Sequence, residues 1–409
     1  MIVLSGAEIV LPDRILSPGT LVIDAGRIVD IRPGSVQAGT ASLFHGHYIL
    51  PGFIDVHVHG IAGVDSLDDG AIAAMSARLP RHGVTGFCPT TVACSAAALR
   101  RVLAQVAGAR REPQPRGARV LPAHLESNFI NAEYVGAQPV ACLRAPRAAL
   151  DGWARRAGRA GGSGEDGEGG ETFDGAEILR EIERAAPDVG IVTVAPELDG
   201  GLDLIAWLTS RGHRVSLGHS GATYEQAQAG IAAGARHATH LFNRMPRLDH
   251  RAPGLAGAVL QTDEVAAELI CDGVHVHPAL IRTAVAAKRP QKIFAITDGT
   301  GAAGLPDGGR ATLGGRTITA RSGAAYLDDG TLAGSVLTMD AALRVLVERI
   351  GLSLVDAATM CATTPARELG LVGHGLLAVD AAADIVVLDA QLAVVQTYVG
   401  GQLAYSRPT

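Results

Sequence analysis

Eight short apolar or β-branched runs recur between residues 53 and 299, most of them followed by a stretch with helical spacing: FIDVHVHG, GVTGFCPT, VLPAHLE, IVTVAPE, RVSLGHS, HATHLFN, AAELICDG and KIFAITDG. Strands joined through helical crossovers lie parallel in one sheet. Eight such units match a (β/α)8 TIM-like barrel better than an open doubly wound sheet, and no G-x-G-x-x-G turn follows the first run. Residues 1–50 and 367–409 read differently, as short strands broken by Pro-Asp, Ser-Pro-Gly and Ala-Gly turns. The expected organisation is an α/β barrel over 51–366 and a small β-sandwich domain built from 1–50 and 367–409.

Two segments interrupt this pattern. GRAGGSGEDGEGGE, residues 158–171, has no aliphatic side chain larger than Ala and cannot bury enough surface to offset its ordering entropy, so a flexible insertion is expected there. The second, about 304–334, contains TLGGRTITA and AAYLDDGTL, which read as extra strands after the eighth barrel strand, placed to form a lip over a site.

Composition narrows the function. With 35 basic against 41 acidic residues the net charge is −6, which argues against a nucleic-acid glove or a polybasic membrane surface. No apolar run is long enough to cross a bilayer. The start, MIVLSGAEIVLPDR, alternates as a strand does and is unlike a signal peptide. Cys88, Cys94, Cys142, Cys271 and Cys361 are scattered without a C-x-x-C pair, as expected for buried thiols in a reducing compartment. A cytoplasmic protein with a small-molecule partner, and without nucleic acid or membrane, is the expectation.

A barrel gathers its active site where the C-terminal ends of the strands converge. His57 and His59 end the first run, Glu126 the third, His219 the fifth, His240 the sixth and Asp298 the eighth, while Asp272 and His275 follow the seventh. Residues at i and i+2 share one face of a strand, so His57 and His59 can share an ion. Imidazole and carboxylate are the usual zinc donors. A single buried histidine is more often a hydrogen-bonded core group, and His124, His213, His237 and His277 are read that way. The set of six is read as a metal site, because so many buried donors otherwise need compensating partners. Asp298 is expected to be a general base beside the ion rather than a helix cap.

Only Lys288 and Lys292 are lysine, and neither ends a run, so a carbamylated lysine bridging two metals is not expected and Glu126 takes that place. Glu126, His219 and His240 then form one three-ligand site and His57 with His59 a second. The cofactor is one or two divalent ions, zinc first, with iron, manganese and cobalt compatible with the same donors. A competing motif, GHSGA at 218–222, nearly matches the nucleophile elbow and would make Ser220 a nucleophile, but it leaves the His57/His59 pair, Glu126 and His240 unexplained.

The chain resembles the amidohydrolase superfamily and, within it, the N-acetylglucosamine-6-phosphate deacetylase family. The resemblance rests on PGFIDVHVHG, GVTGFCPTT, HLE followed by FIN, VAPE, SLGHSGAT, ATHLFN with MP two residues on, APGLAGA, CDGVHVH, ITDGT and LAGSVLTM, in that order along the chain. It implies a barrel with a small sandwich from both termini, a homodimer, and hydrolysis of the N-acetyl group of an amino sugar phosphate to acetate and a free amine. It also implies that Glu126, His219 and His240 hold the principal ion, that His57 and His59 match members able to hold a second, and that Asp298 is the catalytic acid and base. Asn243, Arg251 and His275 would bind the sugar phosphate, one of them reaching in from the partner subunit. Gln138, Arg244 and Leu332 of LAGSVLTM fall on the substrate side.

Four departures stand out. Ser127 and Asn128 follow Glu126 where HLEGP is usual, Gln138 occupies GAQP where the family places a carbonyl-polarising histidine, Arg244 replaces a small residue, and Gly299 replaces an alanine. Gln138 and Arg244 raise the expectation of a more anionic or differently shaped N-acyl amino sugar. The alternatives are another amidohydrolase reaction, such as opening of a cyclic amide, and a non-catalytic sugar-phosphate binder; retention of Asp298 speaks against the binder.

Overall fold

The computed structural model describes residues 1–36, 41–157 and 173–408, so the insertion expected at 158–171 lies outside the described residues. Eight parallel strands form the central ring: β1 (Phe53–Val58), β2 (Val84–Thr91), β3 (Ala123–Leu125), β4 (Val189–Val194), β5 (Arg214–Leu217), β6 (His237–Ala238), β7 (Ala266–Ile270) and β8 (Ile293–Ile296). Each pairs in parallel with its successor from β1 to β8, and each coincides with one of the eight runs read in the sequence. The ring is closed by backbone hydrogen bonds from Asp298 N–H to the His57 carbonyl at 2.9 Å and from His59 and Gly60 N–H to the Gly299 carbonyl at 2.7 and 2.9 Å. Asp55 reinforces this seam: its carboxylate accepts the Thr297 hydroxyl at 2.5 Å and the Thr297 and His57 amides at 3.3 Å each.

Both faces of the ring are covered, which is why β1, β2 and β7 are buried at every position and read as continuous apolar runs rather than alternating ones. The connecting helices start where the sequence provides caps. Thr223 and Gln226 make a capping box for the helix Tyr224–Ala232 behind β5, and Asp174 with Glu177 does the same for Gly175–Arg184 before β4.

After β8 the chain makes the expected extra strands: Arg310–Leu313, Arg316–Arg321, Ala324–Leu327 and Leu332–Ser335 form an antiparallel sheet with its own small core around Leu313, Ile318 and Ala333. Ser335 N–H donates to the Asp298 carbonyl at 2.8 Å, fixing this lip to the end of β8.

The chain ends meet in a separate eight-stranded sheet. Tyr48–Pro51 pairs antiparallel with Ile385–Leu388, setting Ile49 opposite Val387, and Leu4, Ile9, Leu21, Ile28 and Ile385 fill a core distinct from that of the barrel. Arg119 couples the two cores, its Nε and Nη2 reaching the Asp384 carboxylate at 3.1 and 3.2 Å. Among the described residues no helix is long and apolar enough to cross a membrane. All five cysteines are free, four of them buried and Cys142 half-buried.

Candidate metal centre

The C-terminal strand ends bring the six expected donors together. His219 Nε2 and His240 Nε2 lie 2.9 and 2.8 Å from the same oxygen, Oε1 of Glu126, and 3.1 Å from each other. On the other side of that carboxylate, His57 Nε2 and His59 Nε2 are 3.2 Å apart. Asp298 Oδ1 sits 3.4 Å from the first and 3.3 Å from the second. All six side chains are buried. The backbone is strained here: His219, His240 and Asp298 adopt φ of 47°, 31° and 49°, left-handed values that non-glycine residues rarely hold and that cluster at functional sites.

The donor chemistry fits a cation. His219 Nδ1 lies 2.7 Å from the Tyr134 carbonyl, His59 Nδ1 3.2 Å from the Thr90 carbonyl, and His57 Nδ1 2.8 Å from Glu268 Oε2. Each outer partner is an acceptor, so each Nδ1 carries the proton and each Nε2 presents a lone pair inward. Inward-facing imidazole nitrogens and two carboxylates thus converge, a donor set that suits a divalent ion. The titration of the cluster shows the same demand. Burial works against a charge on His59, yet hydrogen bonds and charge from Asp298 and Glu126 lift it to about 10. Burial drives His57 down to about 4. Burial also opposes ionisation of Glu126 and Asp298, but the surrounding imidazoles outweigh it and hold both below their ordinary range.

The centre opens into a narrow cleft whose lining includes His59, Glu126, Gln138, His219, His240, Asn243, Arg244, His275, Asp298 and Leu332. Val92, Ala137, Leu313 and Gly334 complete the lining and are not among the residues singled out from the sequence. His57 lies beneath the cleft floor with no exposure, and Arg251 lies outside the cleft, exposed on the loop before the helix Gly254–Gln261.

The amidohydrolase family model matches residues 210–404. N-acetylglucosamine-6-phosphate deacetylase of Bacillus subtilis is 32% identical over 97% of this chain and 95% of its own length. The human protein of the same name is 36% identical over 96% and 90%. The chain belongs to the N-acetylglucosamine-6-phosphate deacetylase family of amidohydrolases. N-acetylgalactosamine-6-phosphate deacetylase of Escherichia coli O157:H7 is similar to the same degree, 35% identical over 87% of each chain. Among solved structures, a variant of the Mycobacterium smegmatis deacetylase in complex with N-acetyl-D-glucosamine-6-phosphate superposes with a TM-score of 0.85 at 31% identity over 99% of both chains. Membership in the amidohydrolases makes this chain a metal-dependent hydrolase of a carbon–nitrogen bond and implies a divalent ion, which the Glu126 and histidine groups are arranged to hold.

Set beside its family, the chain spends its departures in different ways. Ser127 donates to the Thr193 carbonyl at 2.5 Å, and Asn128 donates to the Cys94 and Cys142 carbonyls at 2.7 Å each, so both anchor the loop instead of facing substrate. Gln138 does face the cleft. Its Oε1 accepts the Ala93 amide at 2.7 Å, which fixes Nε2 toward the centre, where it donates to Glu126 Oε2. Arg244 reaches the Leu332 carbonyl of the lip at 3.4 Å. A Cβ at Gly299 would sit 3.0 Å from Thr297 Oγ1, so glycine relieves a close approach.

The structure agrees with setting aside the Ser220 nucleophile, and it departs from the core reading of His277 and His237. Ser220 donates to Glu197 at 2.7 Å rather than to an imidazole, so it is not an activated nucleophile. Glu197 instead ties down the loop after His219, accepting the Gly221 amide at 2.6 Å and Asn131 Nδ2 at 2.8 Å. His277 is exposed and caps the helix Pro278–Lys288, and His237 packs edge-on against Phe294 at 5.0 Å without a partner for Nδ1 among the described residues. The residue that sequence reasoning missed is Glu268, fully buried on β7 against His57. A lone carboxylate inside the apolar run AAELI was the available signal.

Proposed function

We propose that this chain hydrolyses the N-acetyl group of an amino sugar phosphate, N-acetylglucosamine 6-phosphate first, to the amino sugar phosphate and acetate. The supporting observation is the convergence of Glu126, His219, His240, His57, His59 and Asp298 at the floor of a cleft whose walls carry Asn243, Arg244 and His275. Glu126, His219 and His240 would hold the principal ion, zinc by the chemistry of the donors, and His57 with His59 the second. The chemistry supplied there by a bound ion is Lewis-acid polarisation and a water pKa lowered from about 15.7 to about 7.

The chain's own residues do the rest. Asp298 is held ionised by the imidazoles around it, so it accepts a proton at Oδ from the attacking water as that oxygen bonds to the amide carbon. It then passes the proton to the amide nitrogen while the C–N bond breaks, so that the nitrogen leaves as an amine and the acyl group as acetate. Gln138 Nε2, which donates to Glu126 in the structure, would offer its second N–H to the developing oxyanion, as an amide that never titrates. The Arg244 guanidinium offers forked donors to a phosphate. His275, oriented by its 2.6 Å contact from Nδ1 to Asp272, presents an Nε2 that has no partner among the described residues.

The active assembly in this reading is a cytoplasmic homodimer of barrels, 51–366, each carrying a small domain from 1–50 and 367–409. Exposed Arg251 would reach the phosphate in the neighbouring subunit's cleft. A second reading, the galacto isomer as preferred substrate, is favoured by the Escherichia coli relative together with Arg244 and Gln138. Acetate release from N-acetylglucosamine 6-phosphate, its galacto isomer and unphosphorylated N-acetylglucosamine decides between them. The first phosphate is expected to be fastest, preference for its isomer establishes the second reading, and no release from either phosphate overturns both.

A further inference from the structure

We infer that Glu268 is the positioning residue that makes His57 and His59 an occupied second cation site. The inference rests on the reading of Glu126, His219 and His240 as the first site and goes beyond it. Glu268 has no exposure, lies mid-strand on β7, and takes no part in the proton transfers assigned to Asp298. Its Oε2 accepts His57 Nδ1–H at 2.8 Å and the His240 amide at 3.3 Å. Its Oε1 has no hydrogen-bond partner among the described residues and faces His124 Nδ1 at 3.6 Å. His124 is engaged elsewhere, through Nδ1 to the Val56 carbonyl at 3.1 Å and Nε2 to Thr193 Oγ1 at 3.0 Å, so it walls the carboxylate in without neutralising it.

Two consequences follow for His57. The contact with Glu268 fixes the proton on Nδ1, which aims the Nε2 lone pair at the space shared with His59 Nε2, 3.2 Å away, and Asp298 Oδ1, 3.4 Å away. A ligand histidine whose outer nitrogen donates to a carboxylate is both oriented and made more basic. Charge points the same way. Glu126, Asp298 and Glu268 place three carboxylates in one buried cluster, and among the described residues their ion pairs are all with histidines. Beside Glu126, His219 and His240, the cluster therefore keeps a second group of donors, His57, His59 and Asp298, within reach of one ion.

The test counts ions. The full chain, equilibrated with zinc and freed of unbound metal, is expected to retain two ions. Glu268→Gln keeps an acceptor for His57 but removes the charge. It is expected to retain one ion, with the second bound about 10- to 100-fold more weakly and the first unchanged. Glu268→Asp keeps the charge on a shorter stem and is expected to fall between; it carries the comparison if the Gln variant does not fold. Unchanged binding of the second ion in these variants overturns the inference, as does a wild-type chain that retains a single ion. A wild-type chain that retains none overturns the reading of the first site, and this inference with it.

Discussion

His219 Nδ1 lies 2.7 Å from the backbone carbonyl of Tyr134, and this one contact decides which nitrogen of His219 meets Glu126. The carbonyl can only accept, so the proton stays on Nδ1 and Nε2 is left as a donor of electrons to a cation. The left-handed backbone at His219 is held by the same loop, whose Asn131 amide donates to the His219 carbonyl at 2.9 Å.

In the proposed reading, replacing His219 by Ala removes one of the three groups that hold the first ion and leaves Glu126 and His240. Loss of an orienting partner costs about 10- to 100-fold in metal affinity, so loss of the ligand itself is expected to cost more than that. Metal content of His219→Ala after gel filtration, measured beside the wild type, checks this: the variant is expected to lose the ion of the Glu126 site.

Asp298→Asn separates binding from chemistry. The amide cannot shuttle a proton, so kcat is expected to fall by about 10²- to 10⁴-fold while substrate still binds. Single-turnover acetate release together with calorimetric binding measures both. Unchanged turnover removes Asp298 from its assigned role.

Gln138→Ala deletes the donor that faces the cleft and frees Glu126 Oε2. The expected loss in kcat is about 10²- to 10³-fold, the range for one oxyanion donor. Because Gln138 carries no titrating proton, the acid limb of the kcat–pH profile is expected to keep its position in this variant.

Asp384 makes a prediction about stability instead of catalysis. Burial opposes its charge, but His374, Arg119 and the Gly400 amide outweigh that and hold its carboxyl below the ordinary range. A depressed native pKa means the contribution is present above the unfolded pKa near 3.9 and is lost as pH falls through the native value. Asp384→Asn is expected to destabilise the chain by about 3 kcal/mol at neutral pH, the low end for breaking a buried pair because Arg119 is partly exposed. Denaturant unfolding at neutral pH and below the native pKa is expected to show the gap between variant and wild type closing in acid.

The barrel was legible because its strands are buried almost throughout and so read as short, mainly apolar runs, several of them ending in a polar residue that faces the cleft. β6 is the instructive case: only His237 and Ala238 pair as strand, yet the HATHLFN run still located His240. Glu268 was not legible in the same way. Its partner, His57, is 211 positions away, and only closure of the ring between β8 and β1 brings the two together. The loop departures Ser127 and Asn128 were visible but their direction was not, since the carbonyls they bind belong to Thr193, Cys94 and Cys142, on distant segments.

The central claim is that the Glu126, His219 and His240 cluster works by gripping a divalent ion beside Asp298. Its most direct test is acetate release from N-acetylglucosamine 6-phosphate before chelation, after it, and after zinc is returned. The account predicts that release is lost on chelation and restored by the ion. Turnover that persists undiminished in the metal-stripped protein would contradict it.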